Sequence, residues 1–276
     1  MERLTILKKI KDILNALVEM PSGDDRIPQT IELIVAMIIA EMKKQGLTSG
    51  DDNYLDHHTD NILHGISKKD HAEEGFQEAL VKELISLEWE AFDKVQNEGG
   101  RADCQDDFNT FSIMRKSQYD TWTEEMLKSY IHDFHAAGQK GWNLITEKYG
   151  RMMESTAPHK YNEIKDSLPE IPEARKEIID EIVKIQVDWM EEFTARYPKA
   201  AGNARSIHSV EDNPFNTSYE TYLRGELSTY SDETLDLYGR FIAGLCREER
   251  NLAEMTMENT AHLYGYESLD DLEAKL

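Results

Sequence analysis

The stretch from Asn97 to Asp107 gathers Gly99-Gly100, Arg101, Cys104, Asp106 and Asp107 into one short segment. Paired glycines permit tight or left-handed turns. Arg101 can hold an anion, the two aspartates can orient a ligand, and Cys104 can act as a nucleophile if its thiolate is stabilised. The same composition suits a solvated interhelical loop, and a lone cysteine also suits a buried structural place. Glu88 stands out among the other charges. It lies four residues after Leu84 and three before Ala91, on or beside the apolar stripe of a helix. A carboxylate there reaches water at the boundary, or turns inward and needs a cation or hydrogen-bond donors. An inward Glu88 is a candidate general base. Arg115 and Arg224 occupy similar places in two related blocks, and Tyr222 and Glu226 flank the second. Two arginines so placed either bridge to carboxylates on other helices or line a cleft for a carboxylate or phosphate.

Metal chemistry has little support in the spacing. His132 and His135 share one helix at i and i+3, but Met126, Leu127, Tyr130, Ile131 and Phe134 form its apolar face and put His132 outside. The paired Glu-x-x-His motifs of di-iron bundles are absent, and the nine histidines form no zinc spacing. No glycine-rich dinucleotide loop, P-loop, nucleophile elbow or zincin motif occurs, so the motifs assign neither a metal nor an organic cofactor.

The elements that must position these groups are helical. Leu80, Leu84, Leu87, Ala91 and Val95 recur at three- and four-residue steps, and Ile178, Ile182, Ile185, Trp189 and Phe193 repeat the pattern 98 residues later. Further matches follow in order: Phe108-Asn109-Thr110 with Phe215-Asn216-Thr217, the Thr121–Leu127 block with Thr229–Leu235, Tyr130 with Tyr238, and Asn143-Leu144 with Asn251-Leu252. The offset grows by ten within one loop and then holds at 108, which points to an internal duplication with a loop insertion. Four helices are expected in the first copy, near 79–96, 110–119, 123–137 and 142–156. Thr217 and Glu220 fit a capping box at a helix start in the second, and Cys246 falls in an apolar stretch expected in the core. No strand pattern appears. The expected fold is all-α: a pseudo-symmetric duplication of a roughly four-helix repeat, with copy one at 79–170 and copy two at 176–276. Residues 1–50 form a helical hairpin or arm, and 51–78 a polar junction.

Charge narrows the partners. Lys and Arg number 31 against 54 Asp and Glu in 276 residues, a net charge of −23. That balance disfavours nucleic acid, whose binding rests on cations neutralising phosphates. The longest apolar run, Leu33 to Ala40, falls well short of the roughly 20 residues a spanning helix needs. Two cysteines make no disulfide framework. A cytoplasmic protein away from membranes is expected.

Several of these segments carry a resemblance: Asn97-Glu98-Gly99-Gly100-Arg101, Cys104-Gln105-Asp106-Asp107, Ile113-Met114-Arg115, Glu147-Lys148-Tyr149 with Arg151 to Pro158, and Asn216-Thr217-Ser218 through Tyr230. Over roughly 79–276 the chain resembles a bacterial family, domain of unknown function 4125. The resemblance implies a bacterial cytoplasmic protein and supplies no reaction, cofactor or catalytic residue.

Two functional expectations follow. In the first, a polar site between the repeats binds or transforms a small anionic or zwitterionic molecule. Arg101, Asp106, Asp107, Arg115, Tyr222, Arg224 and Glu226 would hold it, with Glu88 or Cys104 as base or nucleophile. In the second, a non-catalytic protein docks on a partner or on a second copy of itself through residues 28–44.

Overall fold

A computed structural model of the chain describes residues 75–276, apart from 97–99 and 203. The expected N-terminal arm, its docking segment 28–44 and most of the junction lie outside the described residues. Gln77–Leu276 forms a compact unit. Its described regular elements are helical: α1 (75–93), α2 (Phe108–Tyr119), α3 (Glu124–Gln139), α4 (Leu144–Thr156), α5 (Pro158–Ile164), α6 (Glu173–Arg196), α7 (Tyr219–Leu227), α8 (Asp232–Arg247), α9 (Leu252–Leu263) and α10 (Leu269–Lys275). Short 3-10 turns occur at Asp103–Asp106, Lys165–Ser167 and Ser209–Glu211.

Local chemistry starts and aims these helices. Thr123 accepts a hydrogen bond from the Met126 amide before α3, and Ser231 does the same for Thr234 before α8. Asn143 and Asn251 cap α4 and α9, each accepting from two amides. Their side-chain amides also donate across the bundle, Asn143 to the Ala91 carbonyl at 2.8 Å and Asn251 to that of Trp189 at 2.9 Å. Each asparagine thus starts one helix and fixes it to the flank of another.

Helix α3 packs on α8, α4 on α7 and α9 on α2. At the centre sit four rings, with Tyr130 and Tyr230 4.7 Å apart and Trp122 and Tyr238 5.6 Å apart. The inner face of α1 carries Val81, Leu84, Ile85 and Glu88, and that of α6 carries Ile179, Ile182, Val183 and Gln186. A smaller cluster around Phe193, Tyr197, Ala261 and Leu269 closes the end nearest α10.

Three local expectations need correction. The cap of α7 is Ser218, which accepts from the Thr221 amide; Glu220 instead accepts from the Ser209 amide at 2.8 Å. With the cap at Ser218, Glu220 is one residue too early for the reciprocal bond of a capping box. Cys246 is exposed, because it follows the inward Leu245 by one residue and a helix turns about 100° per residue. Ile178 is also exposed, since Ile179 takes the inward position.

Candidate functional site

Three of the candidate residues meet inside the bundle. Arg115 lies on α2, where Nε donates to Glu88 Oε2 at 2.6 Å and Nη2 approaches Glu226 Oε1 at 3.3 Å. The fourth member, Lys148 on α4, donates to Glu226 Oε2 at 2.6 Å. Glu88, Arg115, Lys148 and Glu226 are 2%, 6%, 2% and 3% exposed. Two carboxylates therefore face two cations with almost no water, and formal charge cancels within the quartet.

Neutral groups fill the remaining valences. Tyr119 donates to Glu88 at 2.6 Å and accepts from Arg115 at 2.7 Å. Gln118 donates to Glu226 at 3.0 Å, and Tyr230 donates to the same oxygen at 3.2 Å. Burial works against the charged forms, and the pairing overcomes it. Desolvation pushes the Glu226 carboxyl up, but Arg115, Lys148 and Gln118 hold it far below the usual carboxylate range. Desolvation likewise opposes the Lys148 ammonium, yet Glu226 raises its pKa above the ordinary lysine value. Burial of Arg115 is similarly outweighed by Glu226 and Glu88.

Lys148 was not singled out as a candidate, although its signal is legible. With Leu144, Ile145 and Met152 it forms the buried stripe of α4, so its position faces inward as Glu88 does. Tyr222 is the quartet's outer neighbour. The Lys148 ammonium lies 3.6 Å from its ring centroid and the Arg205 guanidinium 4.9 Å.

Arg224 does not share this site. Its side chain is 41% exposed, paired with Asp180 and 3.7 Å from Glu220. At the 108-residue spacing it matches the half-buried Lys116, and Arg115 matches the buried Leu223. The one-residue difference sends the two arginines to different environments, so they neither line a common cleft nor form paired buried bridges.

The Asn97–Asp107 candidates are occupied by the loop itself. Arg101 pairs with Asp106 at 2.7 Å and with Asp93 at 2.5 Å. Asp107 caps α2 by accepting from the Thr110 amide, which holds its carboxyl below the usual range. Gln105, another residue not singled out, is buried and donates to the Phe92 and Val95 carbonyls at the end of α1. Cys104 is exposed on the 3-10 turn, not buried.

A concave surface among the described residues lies elsewhere. A groove of about 900 Å³ runs between α4, α5, the strap 165–171, α6 and α7. Its walls include Arg151, Glu154, Ser155, Lys165, Asp166, Glu170, Lys176, Asp180, Glu220 and Arg224, with Leu168, Ile171 and Ile179 among its apolar surfaces. No member of the buried quartet lines it. Behind the wall, Asp212 accepts from Ser155 and Thr221 hydroxyls, each at 2.5 Å, and from the Ser218 amide at 2.6 Å. Burial raises that carboxyl, but the three donors together hold it below the usual range.

Among the described residues no group of three or more His, Cys, Asp and Glu is arranged to hold a metal ion. No described helix is long and apolar enough to cross a membrane. The family described as "Protein of unknown function (DUF4125)" matches residues 78–274. No curated protein and no solved structure matches the chain.

Proposed function

The chain belongs to the DUF4125 family, and from its groove we propose that it binds a small zwitterionic molecule, with the buried quartet as the frame that holds the groove's walls together. The carrying observation is the distribution of unpaired charge. Arg151, Lys176 and Arg224 are each paired to a carboxylate. Glu154, Asp166 and Glu170 have no ion-pair partner among the described residues, and of the groove cations Lys165 alone is unpaired. The vacant charge is mostly negative, which favours a ligand carrying an ammonium over a purely anionic one. Hydroxyls of Ser155, Tyr161 and Ser209 supply further hydrogen-bonding capacity.

A thermal-shift screen of amino acids, diamines and dicarboxylates tests this reading. Ammonium-bearing compounds should raise the melting temperature, and the triple change Glu154→Gln, Asp166→Asn and Glu170→Gln should abolish the rise. A preference for dicarboxylates, or binding that survives the triple change, would overturn it.

The internal duplication belongs to the same proposal. Equal lengths of α3 and α8, both 16 residues, support it, as does their start 108 residues apart. The matched capping asparagines and their cross-bundle bonds add support. On this reading the groove forms where elements of the two copies meet, with α4 and α5 from one and α6 and α7 from the other.

A non-catalytic docking function is the second reading. Phe215 favours it, being 99% exposed at the tip of the turn closed by Asn213 and Asn216.

A further inference from the structure

The groove does not end at Arg151. A second cavity of about 420 Å³ shares five wall residues with it: Arg151, Pro169, Glu170, Ile171 and Ser228. These five form a waist between two lobes. Arg151 spans it, donating to the Pro169 carbonyl at 2.8 Å and to Glu147 Oε1 at 2.6 Å. On the far side, Trp142 Nε1 donates to the other oxygen of Glu147 at 2.5 Å, which fixes the indole in the wall.

The lobes differ in chemistry. The first holds the unpaired Glu154 and Asp166, with Glu170 at the waist. The second is lined by Ala136, Ala137, Trp142, Leu144 and Ile171. Its acids are already engaged: Asp133 accepts from the Ser231 amide and the Thr234 hydroxyl, and Glu147 from Arg151 and Trp142. Arg175 there pairs with Asp232. Lys140 has no ion-pair partner among the described residues and is this lobe's unpaired cation, alongside the equally unpaired Glu170 at the waist.

We infer that the occupant is an elongated zwitterion of short-peptide size. Its ammonium lies toward Glu154 and Asp166, an apolar side chain lies against Trp142, and its carboxylate lies toward Lys140. The inference rests on the proposed binding function and narrows it. Volume agrees, because each lobe by itself, at about 900 and about 420 Å³, falls within the roughly 300–1,000 Å³ of pockets that enclose drug-sized ligands, well above a free amino acid. A single amino acid would leave the second lobe and its cation unused.

Isothermal titration of the full chain with three probes tests it: glycine, the tripeptide glycyl-alanyl-phenylalanine and that tripeptide's C-terminal amide. The free tripeptide should bind at least about ten-fold more tightly than either of the others, a difference of about 1.4 kcal/mol. Lys140→Ala should remove the advantage over the amide. Ala136→Trp, which fills the second lobe, should weaken the tripeptide and leave glycine unchanged. Equal binding of tripeptide and amide, or an advantage that survives Lys140→Ala, would overturn the inference. If glycine binds through Glu154 and Asp166 while the tripeptide does not bind, the groove reading stands and the elongated ligand falls. If no ammonium compound binds, both fall.

Discussion

Gln118 donates a hydrogen bond of 3.0 Å to Glu226, and the two residues stand 108 apart, the spacing that aligns the two halves of the sequence. Under the proposed duplication these are equivalent positions, one carrying an amide and the other a carboxylate. The carboxylate then recruits Lys148 and Arg115 from the first half, so four buried charges hold α1, α2, α4 and α7 together.

Removing one charge from this quartet should cost far more than removing the pair. Lys148→Met leaves Glu226 short of a cation in a buried place, a change that typically costs about 3–5 kcal/mol. In a unit of this size that corresponds to a melting temperature lower by roughly 6–20 °C. The double change Lys148→Met with Glu226→Leu should recover a substantial part of the loss. Scanning calorimetry of both variants and of Glu226→Leu alone checks this, and a double loss equal to the sum of the two single losses would show that the charges act independently.

The quartet also sets an acid limb. The folded pKa of Glu226 lies far below its ordinary value of 4.5. Its stabilisation is therefore fully present above about pH 4.5 and is lost as pH falls toward the folded value. Lys148 has the opposite sign: its raised folded pKa gives stability that is full below about pH 10.5 and lost as pH rises past it. Urea unfolding from pH 2.5 to 7 should show a steep decline below pH 4.5 in the parent and a shallower one in Glu226→Gln.

Gly225 makes the close approach of α7 to α4 possible. A Cβ there would lie 2.9 Å from Met152 Cγ and 3.1 Å from the Lys148 carbonyl oxygen. Gly225→Ala should cost about 1–3 kcal/mol through overpacking. Gly239→Ala, whose nearest neighbour would be Ile182 Cδ1 at 3.6 Å, should be neutral or slightly stabilising because alanine favours a helix. Chemical denaturation of the two variants makes the comparison.

Arg115 and Arg224 should separate in the same assay. Arg224→Ala removes an exposed ion pair worth about 0–1 kcal/mol and should barely move the melt. Arg115→Ala should destabilise strongly, because Glu88 loses its cation.

Asn143→Ala and Asn251→Ala should cost similar amounts, about 0.5–2 kcal/mol from each lost cap plus the lost bond to Ala91 or Trp189. A large loss at one position and none at the other would count against the proposed duplication.

Sequence periodicity alone determined that the described part of the chain is helical, where α1 to α4 run within a few residues, and that Glu88 sits at the edge of an apolar stripe. These are local properties, set by the 3.6-residue turn and by capping side chains. Periodicity names the inward face of a helix but not what that face meets. Arg115 finds Glu88 across 27 positions and Glu226 across 111, and only packing decides those meetings. It also decided between Arg115 and Arg224, because one residue is about 100° of rotation and separates a buried bridge from an exposed wall. The groove was not legible for a related reason. Its charged walls come from separate helices and an irregular strap, and their unpaired state follows from which neighbours the fold brings within reach.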